Sequence, residues 1–116
     1  YALPSQTTAL GEGVRQCTVG RSTCVTVTSR DWQGNVTPGP SVEHFLCEVV
    51  PVQTNQPVGQ PMQLTTELTD MEDGTYELAY AVPWDGTYEL SVQMFGKHIQ
   101  GSPFKVYVVE IRSYRY

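Results

Sequence analysis

Long apolar runs are missing from this chain of 116 residues, and with them any segment long enough to cross a bilayer as a helix. The first residues carry no basic stretch followed by an apolar block, so no signal-peptide pattern stands at the amino terminus. Helical periodicity is missing too, since no segment longer than a few residues repeats its apolar positions at a spacing of three to four. Charged residues make up only 16% of the chain against 40% apolar, which excludes a highly charged disordered tail. Cysteine is limited to Cys17, Cys24 and Cys47, an odd number without C-x-x-C pairing. That spacing does not fit a structural zinc site, and at least one thiol stays unpaired within the chain. An antibody-like sandwich would need a cysteine on its sixth strand, and the candidate for that strand, residues 88–95, has none. Small buried thiols in a reducing, cytoplasmic compartment are the simplest expectation.

Basic charge is absent from the whole middle of the chain. Every Lys and Arg lies at or before Arg30, or at or after Lys97. Between them stand Asp31, Glu43, Glu48, Glu67, Asp70, Glu72, Asp73, Glu77, Asp85 and Glu89. Such a span repels a polyanion, because nucleic-acid binding depends on Lys and Arg displacing counterions. Nucleic acid is therefore an unexpected partner. Lys97, Lys105, Arg112 and Arg115 are read as a small corner of solvated charge rather than a binding patch.

What is plentiful points to strands. Fifteen Val, 13 Thr and 7 Tyr suit pleated, half-buried surfaces, and 10 Gly with 8 Pro punctuate them. In residues 22–29, Val25 and Val27 share one face, with Cys24, Thr26 and Thr28 on the other. Residues 41–52 place Phe45, Cys47 and Val49 on one side and His44, Leu46, Glu48 and Val50 on the other, so both faces carry apolar groups. The polar stretch 51–61, with Pro51, Pro57 and Pro61, reads as a long loop. Residues 62–68 set Leu64, Thr66 and Leu68 against Gln63, Thr65 and Glu67. Tyr76, Leu78, Tyr80 and Val82 alternate in the next strand, then Tyr88, Leu90, Val92 and Met94, and finally Phe104, Val106 and Val108. With an amino-terminal strand over residues 9–19, these make seven strands and an all-β, two-sheet sandwich.

No catalytic constellation accompanies these strands. The chain has no G-x-S-x-G elbow, phosphate-binding glycine loop or H-E-x-x-H pattern. His44 and Cys47 fall on opposite faces of their strand, which separates the one conceivable nucleophile and base. Asp70-Met71-Glu72-Asp73-Gly74 lacks the glycine position and bidentate glutamate of a calcium loop, and reads as a turn. The expectation is a domain that is not itself an enzyme and holds no cofactor or metal.

A resemblance becomes specific in the second half. Asp73-Gly74-Thr75-Tyr76, then Tyr80, Asp85-Gly86-Thr87-Tyr88, and the run His98-Ile99-Gln100-Gly101-Ser102-Pro103-Phe104 resemble a filamin-type immunoglobulin-like repeat. Gly11-Glu12-Gly13 and Val19-Gly20 resemble its opening elements. The resemblance implies an immunoglobulin-like seven-stranded sandwich over residues 7–110, with 1–6 as linker and 111–116 as linker or tail. The opening residues, 1–13, resemble the entry to this repeat in tripartite-motif ubiquitin ligases that carry an NHL propeller. By that resemblance the parent would be a RING ligase with zinc elsewhere and oligomeric through a coiled coil, and this domain a non-catalytic scaffold.

Repeats of this family commonly take a peptide strand beside their third strand, in the groove it forms with the fourth. Carried onto this chain, the groove would present Leu46, Glu48, Val50, Gln63 and Thr65 to a protein partner or ubiquitination substrate. That role gives a reason for Leu46 and Val50 to be apolar on an edge strand. A structural spacer in an actin-crosslinking rod remains an alternative. So does a secreted adhesion domain, for which Asn35-Val36-Thr37 would be the glycosylation sequon.

Overall fold

Alternating Val, Thr and Tyr build nine short strands. The computed structural model describes residues 1–60 and 64–110. The strands are β1 (Thr8–Leu10), β2 (Gln16–Thr18), β3 (Thr23–Thr28), β4 (Phe45–Thr54), β5 (Thr65–Asp70), β6 (Thr75–Ala81), β7 (Gly86–Met94), β8 (Lys97–His98) and β9 (Phe104–Val109). One sheet has the order β1-β3-β6-β5 and the other β2-β9-β7-β4, with β8 pairing β7 beyond the end of β9. All pairings are antiparallel except β2 with β9.

The seven expected strands are present, with one change at each end of the list. The amino-terminal strand is split in two. Gly11 at φ 131 and a 3-10 turn over Glu12–Val14 carry the chain from the first sheet to the second, so β1 and β2 belong to different sheets. Gly13 at that crossing is buried, and a Cβ there would run into the side chains of Val25 and Tyr80. The extra element is the two-residue β8. Arg112 and Arg115 of the basic corner lie outside the described residues.

The inward faces meet in a core of Val25, Val27, Tyr76, Leu78, Tyr80, Val82, Tyr88, Leu90, Val92, Met94, Val106 and Val108. These are the residues that alternation had placed inside. Three of them are tyrosines whose rings are buried and whose hydroxyls each donate to a carbonyl in a connecting segment. Tyr76 reaches the Pro40 carbonyl (2.5 Å), Tyr80 the buried Gly13 carbonyl and Tyr88 the Trp84 carbonyl (2.6 Å). Each tyrosine therefore joins apolar burial to a hydrogen bond that pins a loop on the sandwich.

Burial raises the pKa of all three phenols above the ordinary value, making them weaker acids. It also pushes the Cys47 thiol up to about 11. A proton held more tightly by the folded state means that the unfolded chain ionises first as pH rises. Their contribution to stability is complete below the unfolded-state values, near 8.5 for cysteine and about 10 for tyrosine. It is lost as pH climbs through the folded-state values. Urea unfolding between pH 7 and 11 should show a midpoint that falls steadily above about pH 9. A jump to higher pH should give a slow phase of tyrosinate absorbance at the rate of unfolding. A midpoint unchanged to pH 11 would contradict the burial of these hydroxyls.

Candidate functional site

The two sheets end on the same side with strands that are paired only once, β4 in one sheet and β5 in the other. A 3-10 turn over Val42–His44 delivers the chain to β4, and the Phe45 N–H is taken by the Val42 carbonyl. The ladder to β7 begins with the Phe95 N–H donating to the His44 carbonyl (2.9 Å). In an antiparallel ladder such a pair is followed, two residues on, by the next one. Leu46, Glu48 and Val50 therefore aim their amides at β7, opposite Gln93, Ser91 and Glu89. Cys47 and Val49 aim theirs away from it, toward the open edge. Pro51 continues this outward set, where its missing N–H costs no ladder bond. A register shift follows between Pro51 and Gln53. The strand runs on through Thr54, so the long loop starts later than its prolines suggested.

Side chains on β4 obey the same alternation. Phe45, Cys47 and Val49 turn toward the core, while Leu46 and Val50 are exposed at 51% and 45%. Between β4 and β5 lies an open trough of about 210 Å³ lined by Cys47, Glu48, Val49, Leu64 and Thr66. Of the residues expected from sequence, Glu48 lines this trough. Leu46 and Val50 flank it on the outer face of the sheet. Thr65 lines a separate concavity with Ser22, Glu67 and Ala79 on the outer face of the other sheet. Gln63 lies outside the described residues. Cys47, Val49, Leu64 and Thr66 were missed because a trough between two sheets is lined by core-facing residues at their margin. The usable signal was Leu64 sharing a face with Thr66 and Leu68.

The site is negative. Glu43, Glu48 and Glu67 are exposed on or beside the two edge strands. Among the described residues the Lys and Arg side chains belong to or adjoin β2, β3, β8 and β9, and none is on β4, β5 or β6. The one acid–base contact among the described residues sets the His44 ring 3.7 Å from the Glu43 carboxylate, and no Lys or Arg neutralises Glu48. Cys47 is kept as a neutral thiol by its burial. The acidic turn after β5 is held by its own backbone, with Asp70 accepting from the Glu72 N–H (2.8 Å) and Asp73 from the Thr75 N–H (2.9 Å).

The site is thus a strand edge with outward main-chain groups beside an acidic trough. The filamin/ABP280 repeat family matches residues 2–105. The chain belongs to that family. This filamin repeat is 34% identical over 110 residues to human tripartite motif-containing protein 2, covering 93% of the chain and 13% of that protein. It is 38% identical over 105 residues to rat tripartite motif-containing protein 3, covering 90% of the chain and again 13% of the relative. The chain thus spans about an eighth of the length of these curated relatives. The solved Lin-41 filamin domain superposes with a TM-score of 0.70 at 21% identity, covering 92% of this chain and 95% of that one. That likeness establishes the immunoglobulin-like fold of the repeat. No helix among the described residues is long and apolar enough to cross a membrane.

Proposed function

We propose that this filamin repeat is the protein-recognition module of a cytoplasmic tripartite-motif RING ubiquitin ligase, and that it holds a segment of its partner or substrate as an added strand on β4. The observation that carries the reading is the one-sided ladder of β4, with amides of Cys47 and Val49 directed outward between exposed Leu46 and Val50. The similarity to tripartite motif-containing proteins 2 and 3 supplies the ligase context. In that context zinc sits in the parent's RING, a coiled coil brings copies together, and this domain takes no part in the transfer chemistry. Leu46, Glu48 and Val50 flank the added strand on the outer face, while Leu64, just before β5, and Thr66 on β5 meet it from the other sheet.

Backbone direction makes a selective test possible. Cys47→Pro removes an outward amide and leaves every bond to β7 in place, so the domain should remain folded. Glu48→Pro removes a ladder bond instead and should unfold the edge. In the full-length ligase, Cys47→Pro should lower substrate ubiquitination about tenfold while self-ubiquitination through the RING continues. Undiminished substrate modification by a folded Cys47→Pro protein would favour a spacer role instead.

A further inference from the structure

We infer that the segment accepted by β4 is short and basic at its centre: about five residues, apolar at the second and fourth positions and Lys or Arg at the third. The inference rests on the strand-addition reading and adds the chemistry of the occupant.

Length follows from where the edge closes. At one end the Phe45 N–H is already bound to the Val42 carbonyl. At the other, Pro51 has no N–H and the register shifts beyond it. The open amides between these limits are those of Cys47 and Val49, with the Phe45 and Pro51 carbonyls as outer acceptors. An added strand pairs over residues 46–50 and then runs out of partners.

Directly paired residues on adjacent strands put their side chains on the same face. Residues opposite Cys47 and Val49 thus point into the trough, toward Leu64 and Thr66. That position favours medium apolar groups such as Val. The residue opposite Glu48 points outward, with its Cβ about 5 Å from that of Glu48. Within the sheet Glu48 faces Ser91 on β7, and Lys105 stands one strand further in, in register with Glu89 on β7, so no basic residue is in register with the edge carboxylate. With Glu43 adding to the field, a Lys or Arg at this place is attracted and a Glu repelled. A second copy of the chain is disfavoured by the same charges, since pairing through β4 would bring two acidic edges together.

The test uses the full chain with a probe peptide joined to its carboxy terminus by a flexible Gly-Ser linker of about 30 residues, which supplies a millimolar effective concentration. The probe core is TVKVT, palindromic so that either strand direction gives the same pairing; its counterpart is TVEVT. The readout is hydrogen exchange at the Cys47 and Val49 amides. TVKVT should protect both amides at least threefold more than TVEVT, the difference should shrink in 0.5 M salt, and Glu48→Lys should reverse the order. Equal protection by the two probes, or better protection by TVEVT, would overturn the basic preference while strand addition stands. Protection by neither probe would remove the strand-addition reading together with the inference. Concentration-dependent protection of the same amides in the chain without a probe would overturn the inference by showing a second copy as the occupant.

Discussion

Tyr80→Ala is expected to cost about 3–5 kcal/mol, the range for emptying a large aromatic from a packed core. Tyr80 is only 2% exposed, near the end of β6, a strand hydrogen-bonded on both sides. Its ring packs where the chain crosses between sheets, and its hydroxyl satisfies the buried Gly13 carbonyl. Removing the ring leaves a cavity and releases the crossing segment in one step. Single domains are stable by roughly 5–15 kcal/mol, so the variant should be marginal at 25 °C. Tyr80→Phe separates the two contributions. It keeps the ring but strands a buried carbonyl, at about 1–3 kcal/mol. Urea denaturation of the three proteins should give stabilities in the order Tyr, Phe, Ala. A phenylalanine variant as stable as the parent would show that the hydroxyl is not what holds the crossing.

Gly86→Ala is the second large effect, about 3 kcal/mol or more, and it arises from backbone rather than packing. Gly86 opens β7 at φ 143, and a Cβ there would lie 2.2 Å from the Gln53 carbonyl oxygen and 2.6 Å from the Thr54 Cα. Both obstacles are main chain of β4, which cannot rotate aside as a side chain could. The end of β4 must therefore separate from β7, and the damage spreads toward the open edge. Gly20→Ala is the matched control: its φ of 75 also disfavours a side chain, but nothing lies within 4 Å. It should cost only about 1–2 kcal/mol. Comparable losses at the two positions in thermal unfolding would rule out the close approach of β4 as the cause.

Alternation was sufficient where both neighbours of a strand are strands. Tyr76, Leu78, Tyr80 and Val82, or Leu90, Val92 and Met94, repeat without interruption because β6 and β7 are central and their inner faces are wholly covered. The amino-terminal strand was less legible. Its three-residue halves each satisfy a short period, and the change of sheet at Gly11–Gly13 is a matter of backbone direction that no apolar pattern records. The candidate site was half legible for the same reason. Apolar Leu46 and Val50 on a second face marked β4 as unusual. Which residues line the trough depends instead on how closely the margins of two sheets approach. Thr65 has the parity expected of an outward residue, but outward on β5 means the far side of the other sheet.

The brevity of the open edge also bears on time. A segment held by four or so main-chain bonds, each contributing about 1 kcal/mol net, leaves quickly once it has bound. Affinity differences among related complexes lie mostly in such departure rates. Under the proposed strand addition, a repeat built this way favours frequent capture and release over retention. In the proposed ligase a substrate would then be held and let go many times, its dwell set by how many copies of the edge stand near one another rather than by the grip of any one.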